Sequence, residues 1–388
     1  MRRTIFTEEH EAFRAMCREF IAKELAPRYE TFEQQGHVDK EFFAMMGDLG
    51  LTGLQVPEEY GGGGQSTFKY NAIFSEETAY AATGLGTLRV HQDLVIPYIC
   101  QYANAEQKRR WLPGMAKGRL MSAIAMTEPG TGSDLSGIRT KAVRDGDHYI
   151  LNGAKTFITG DVNADLVLVV ARTSPYDEND RRSGLSTLVV DTTNEGYTVG
   201  RQLDKIGLKA QGTAELSFTD VKVPVADLLG EEGKAFEYLS HNLAQERMTI
   251  AIHAVAAAQA AIRFASEYAH DRKVFGTPLT NFQNTKFVLA ECSAEVAATQ
   301  ALVDKALEEL DAKTLSPADA APAKLFSTEV QGRVIDKCLQ IHGGYGYILE
   351  YPIARMYADA RVSRIYGGTS EVMKTIIAKD LGLSERRT

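Results

Sequence analysis

The chain of 388 residues is 44% hydrophobic, enough to bury a large core, and its length points to two or three lobes. A formal charge of −8 argues against a sequence-independent grip on nucleic acid, which needs clustered cations, and gives no general attraction to anionic membranes. Cysteines 17, 100, 292 and 338 form no Cys-x-x-Cys pair and the histidines no His-Glu-x-x-His, so neither a disulfide framework nor a metal site is signalled. Glu8, Glu9 and Glu11, directly after Arg2-Arg3, speak against a secretory or twin-arginine leader. The alanine-rich stretch from Thr249 to Ile262 reads as too short and too weakly apolar to span a bilayer. The expectation is a globular, cytoplasmic protein without stable membrane insertion.

From Thr7 to Leu25, Phe13, Met16, Cys17, Phe20 and Ile21 keep the spacing of an amphipathic helix, predicted to stop before Pro27. Further helical patterns cover 41–49, 68–81, 85–102 and 105–116, with a glycine-rich surface turn at 61–64. Pro97 should kink the segment 85–102. Beyond Leu120, short β-rich runs follow at 139–143, 149–152, 166–171, 185–190 and 214–221, separated by turn signals that include Asn152-Gly153. Residues 174–183 read as a solvated hairpin loop. Helical patterns return at 233–270, 281–310, 317–339 and 370–378. The expected fold is α+β: an N-terminal helical domain (1–119), a middle β domain (120–230) and a C-terminal helical bundle (231–388).

Five segments carry candidate chemistry, and each also has a plain structural reading. Met126-Thr127-Glu128-Pro129-Gly130-Thr131-Gly132-Ser133-Asp134 is either a polar loop between strands or a nest of amides and hydroxyls suited to an anion. Lys155-Thr156-Phe157-Ile158-Thr159-Gly160 is either an edge strand or an aromatic platform. In Asp271-Arg272-Lys273-Val274-Phe275-Gly276 the arginine can simply face the carbonyl end of a helix. In Ile365-Tyr366-Gly367-Gly368-Thr369-Ser370-Glu371, Ser370 reads as an N-cap and Glu371 as a first-turn acid, or the helix start meets an anionic group. Ala244-Gln245-Glu246-Arg247 would ordinarily be a solvated helix face, but its apolar flanks predict a sheltered carboxylate.

Together these motifs resemble the flavin-dependent acyl-CoA dehydrogenases over almost the whole chain, and the long-chain branch above all; residues 204–216 and 350–354 add to the likeness. Many members of that family keep a catalytic glutamate where this chain has Gly367. The long-chain and isovaleryl types move the base to a distant helix, and Glu246 before Arg247 is similar to that relocated base. The resemblance implies FAD as cofactor, with Met126 and Thr127 against the flavin ring and Ser133 near phosphates of cofactor or substrate. Phe157, in place of the family's usual tryptophan, and Thr159 would flank the ring. Arg272, Phe275, Gln283, Gln340, Gly343 and Gly344 would reach the cofactor of a neighbouring subunit in a homotetramer, and Thr369 and Glu371 the adenosine end. Arg247, Tyr366 and Gly367 would join Ser133 in binding substrate.

The implied reaction is α,β-dehydrogenation of a medium- to long-chain acyl-CoA to the trans-2-enoyl-CoA. Glu246 would be the general base, while the Gly367 N–H and a ribityl hydroxyl of FAD would hold the thioester oxygen. Hydride would pass to flavin N5, and an electron-transfer flavoprotein would reoxidise the flavin. An acyl-CoA oxidase, a branched-chain acyl-CoA dehydrogenase and a non-catalytic FAD-binding subunit are the rivals. Arg89, His91 and Asp93 lie where relatives form the pocket floor: one of them facing the pocket would favour a branched or polar acyl group, and all three facing solvent would favour a long plain chain. Pro97 is expected to widen the acyl cleft, and a glutamate at position 367 to restore some activity after loss of Glu246.

Overall fold

The computed structural model describes residues 2–383 and has the expected α+β plan, helical to residue 116, β-stranded from 122 to 229 and helical again from 235 to 380. The first helix, α1 (Glu8–Phe20), does not stop at Pro27. It passes through a π-helical turn, Ile21–Leu25, and continues as α2 (Ala26–Gln35). After α3 (Lys40–Asp48) and α4 (Lys69–Tyr80) the same device recurs, with α5 (Gly86–Arg89) running through a π turn, Val90–Val95, into α6 (Ile96–Tyr102). Ala26 N–H bonds Ile21 O and Ile96 N–H bonds His91 O, each five residues back, and a proline comes next in both places. Proline lacks the N–H and its ring collides with the carbonyl four residues earlier, so the wider turn lets the helix carry on. The predicted stop at Pro27 is therefore absent, and Pro97 brings a widened turn. Helix α7 (Ala105–Ala116) closes this part.

Strands β1 (Ser122–Ala125), β2 (Lys141–Asp145), β3 (His148–Thr159), β4 (Leu166–Arg172), β5 (Leu185–Asp191), β6 (Tyr197–Gln202), β7 (Thr213–Pro224) and β8 (Leu228–Leu229) make one sheet, in the order β6-β7-β3-β2-β4-β5-β8, with β1 parallel to β4. Asn152-Gly153 is not a turn. Strand β3 runs straight through it with a register shift between Leu151 and Gly153, where a Cβ would lie 2.5 Å from Thr140 Oγ1. Strand β4 is buried along its whole length and so reads as an unbroken apolar run, whereas β6 is exposed and carries no apolar alternation to betray it.

Helices α8 (Ala235–Asp271), α9 (Gln283–Asp311), α10 (Pro317–His342), α11 (Pro352–Ala360) and α12 (Ser370–Asp380) complete the chain. At 37 residues α8 is, by length and composition alone, able to cross a membrane, which the shorter stretch read from the sequence was not; 72% of its most apolar window is instead buried inside the protein. Its alanines at 251, 254, 258, 261 and 265 are almost wholly buried against α4 and α10, and their small side chains let the axes approach closely. Arg3 ties Glu76 on α4 to Asp304 on α9, at 2.7 Å each.

Candidate active site

Glu246 lies in the first third of α8 and is buried, as its apolar flanks predicted. Burial pushes its carboxyl up to about 7, against the opposing effects of a hydrogen bond from Tyr98 and the charge of Arg247. The Tyr98 hydroxyl, itself fully buried on α6, donates to Glu246 Oε1 at 3.0 Å. Helix α8 and the helix from 86 to 102 run antiparallel along this face: Tyr98 meets Glu246, Asp93 accepts from Thr249 Oγ1, and Gln245 Nε2 donates to Asp93 O at 2.8 Å. That carbonyl stands four residues before Pro97 and has lost its usual helical donor. The proline thus frees an acceptor that fixes Gln245, the residue beside Glu246. Together with the widened turn, this is the structural effect seen at Pro97.

One turn beyond Glu246, Ile250 touches the glycine loop: a Cβ on Gly367 would lie 2.3 Å from Ile250 Cδ1. Glu246 and Gly367 are therefore brought together across α8. Gly367 has φ +62° and its N–H makes no hydrogen bond among the described residues, which leaves the donor free for a ligand. The positive φ puts strain on a glutamate at 367, and its Cβ would have to push the tip of the Ile250 side chain aside. Tyr366 is half-buried with its amide on Val362 O. Arg247 is buried and its Nη1 donates to Pro317 O at 2.8 Å at the start of α10, while its Nε is enclosed without a partner.

Two buried lysines that sequence reasoning missed hold the loops of this region. Lys155, fully buried on β3, donates to Met126 O and to Glu128 Oε1, both at 2.9 Å, and Glu128 also accepts the amides of Arg139 and Thr140. Lys324, fully buried on α10, donates to Gly368 O at 2.7 Å and has no carboxylate at ion-pair distance among the described residues. Burial drives both ammonium groups down to about 8.

Met126 and Thr127 are half-buried at the end of β1, and Thr156 N–H donates to Thr127 O at 2.9 Å, which sets Phe157 and Thr159 beside them. Phe157 has φ +59° at a second register shift of β3, and its ring is 67% exposed. A large aromatic residue held in the left-handed region and turned out of the core is a backbone outlier of the kind found where a ligand must be met. Ser133 is exposed on the loop beyond the Glu128–Thr131 bridge. Thr369, not Ser370, is the N-cap of α12, accepting Val372 N–H at 3.2 Å, while Glu371 is exposed beside it with its carboxyl held below the usual range by backbone amide bonding and the Thr369 hydroxyl.

Arg272, Phe275, Gln283, Gln340, Gly343 and Gly344 gather at the far end of α8 and are exposed, Phe275 at 95%. Gln340 borders a surface cavity of about 410 Å³ that Asn284 and Lys337 also line. No side chain comes within 4 Å of a Cβ built on Gly343 or Gly344. Of Arg89, His91 and Asp93, none faces solvent fully: His91 is bonded to Ser122 Oγ and Met115 O, and Asp93 to Asn71 and Thr249. Only half-buried Arg89 makes no side-chain hydrogen bond or ion pair among the described residues, with Nε enclosed and unpartnered.

The profile for the N-terminal domain of acyl-CoA dehydrogenase matches residues 7–119, that for the middle domain residues 123–221 and that for the C-terminal domain residues 233–382. The chain is 43% identical over 379 residues to the mitochondrial long-chain specific acyl-CoA dehydrogenase of Sus scrofa, covering 98% of this chain and 88% of that one. It is 36% identical to the acryloyl-CoA reductase (NADH) of Anaerotignum propionicum, over 97% of this chain and 95% of the other. Among solved structures, an acyl-CoA dehydrogenase from Geobacillus kaustophilus superposes with a TM-score of 0.95 at 46% identity, covering 97% of this chain and 98% of that one. A buried carboxylate beside a free glycine amide, set in three domains that each match, places this chain in the acyl-CoA dehydrogenase family of FAD-dependent oxidoreductases.

Proposed function

We propose that this enzyme dehydrogenates a medium- to long-chain acyl-CoA at the α,β bond, with Glu246 as the base. The observation that carries the reading is the buried carboxylate one helical turn from the residue that touches Gly367. Tyr98 occupies Oε1, which leaves Oε2 to accept the α-proton. Desolvation makes the carboxylate a stronger base than in water, and the free Gly367 N–H stands ready for the thioester oxygen as charge develops there. When bound, FAD supplies the acceptor for the β-hydrogen. Met126, Thr127, Phe157 and Thr159 would hold its ring, Ser133 its phosphates or those of substrate, and the exposed, strained Phe157 ring suits that stacking.

Arg272 lies about 39 Å along α8 from Glu246, by helical rise. Residues so far from their own base fit the cofactor of a neighbouring copy, and the proposed assembly is a homotetramer, reoxidised by an electron-transfer flavoprotein. Thr369 and Glu371 would serve the adenosine end. The four cysteines are free, as suits the reducing cytoplasm proposed for it. A second substrate reading, a chain ending in a polar group, is favoured by the partnerless Arg89.

Anaerobic mixing of Glu246→Gln holoenzyme with palmitoyl-CoA tests the base. Flavin bleaching should slow by about 10² to 10⁴ with FAD content unchanged. Bleaching at the wild-type rate would overturn the assignment. Wild-type rates with a panel that includes ω-carboxyl chains decide between the two substrate readings, and peroxide release in air would identify an oxidase.

A further inference from the structure

We propose that Lys324 is a positioning residue for the thioester-oxygen donor, clamping the two-glycine segment that carries the Gly367 N–H. The inference rests on the donor role given to Gly367 above. Gly367 and Gly368 both have positive φ, +62° and +93°, and adjacent glycines leave their peptide planes more freedom than any other pair. A donor that must meet developing charge has to be aimed beforehand. The segment is anchored on one side, where the Ile365 and Tyr366 amides bond Val362 O at 2.8 and 3.1 Å. On the other side the Thr369 hydroxyl caps α12, and between these anchors the Lys324 ammonium holds Gly368 O at 2.7 Å.

The alternative, a lysine that merely fills the core, fits poorly. Its side chain is completely buried and no carboxylate stands at ion-pair distance among the described residues; Arg247 opposes its charge, and Glu329 and Glu371 favour it only from beyond that distance. A buried ammonium without a directly paired carboxylate is unfavourable, and a methionine would fill the same space without the charge. What the ammonium does that methionine cannot is fix one carbonyl next to the glycine whose amide is free.

The test uses Lys324→Met and Lys324→Gln holoenzymes, with cinnamoyl-CoA as a bound probe whose absorption shifts to the red when its thioester carbonyl is polarised. Lys324→Met should retain FAD, lose at least half of that red shift, and reduce flavin about 10²-fold more slowly with KM changed less than threefold. Lys324→Gln, which keeps a neutral donor, should recover part of both. A full red shift in both variants, with the wild type shifted as well, would overturn the role of Lys324 alone. A wild-type enzyme that leaves the probe unshifted would overturn the donor role of Gly367 and this proposal with it. Failure of both variants to fold with FAD would assign Lys324 to folding and likewise overturn it.

Discussion

Lys155 in the middle sheet and Lys324 in the C-terminal helices are both fully buried, and each grips a main-chain carbonyl of a loop at the site. Their surroundings differ. Lys155 has Glu128 at 2.9 Å, and Glu128 in turn takes two amides, so the charge is answered within the protein. Lys324 bonds the Gly368 carbonyl without an ion pair among the described residues; Arg247 opposes its charge, while Glu329 and Glu371 favour it from farther away. The pair therefore serves the stability of the Met126–Thr127 loop, whereas the ammonium without an ion pair stands next to the amide proposed to hold the thioester oxygen.

The largest expected effect breaks the paired side. Lys155→Met leaves Glu128 buried without its cation and should destabilise the holoenzyme by about 3 to 5 kcal/mol in urea unfolding, while Lys324→Met should change stability by less than about 2 kcal/mol, since an unfavourable burial is removed along with one hydrogen bond. Equal losses would erase the distinction.

A third buried charge sharpens it. The folded-state value of Glu246 is raised to about 7 from 4.5, so the folded protein holds the extra proton between these values and loses stability as pH rises from about 4.5 to 7. Glu246→Gln should then stabilise the protein by about 3 kcal/mol at pH 8 but by less than about 1 kcal/mol at pH 5. Paired thermal scans at the two pH values measure this, and a pH-independent difference would contradict it. Activity follows the opposite sense: only the ionised base works, so the rate of flavin reduction should climb through pH 7 and level off above it.

A smaller change tests the anchor of the base itself. Pro97→Ala restores an N–H that competes with Gln245 for Asp93 O, and should lower kcat/KM about two- to fivefold, equally for octanoyl- and palmitoyl-CoA. A loss confined to the long chain would revive the idea of a cleft opened by the proline.

The long helices were legible because their apolar residues keep the helical period, and the carboxylate at 246 because its flanks are apolar. The structure of the catalytic surroundings was not legible, for reasons of distance and of backbone. Tyr98 meets Glu246 across 148 residues of sequence and Lys324 meets Gly368 across 44, and no local pattern marks either. Phe157 could be named as an aromatic candidate, but its left-handed backbone exists only because β3 slips register against β7. Asn152-Gly153 has the composition of a hairpin turn, yet β3 needs the glycine for clearance from Thr140. The bond from Arg247 to Pro317 O, 70 residues away, likewise has no local mark in the sequence.

The π turn at Val90–Val95 carries one residue more than a plain α-helix of the same path would need. Such a surplus is a natural position for insertions and deletions to come and go in descent. Removing one residue there would turn α5 by about 100° and draw it in by about 1.5 Å while α6 stayed in place. Tyr98 would keep its grip on Glu246, but Arg89 would swing away from His253, whose ring its charge now influences. The helix is thus divided into a segment that serves the chemistry and a segment free to be re-aimed. Single-residue length changes in this turn are a route by which a lineage could re-aim Arg89 without disturbing the Tyr98–Glu246 contact.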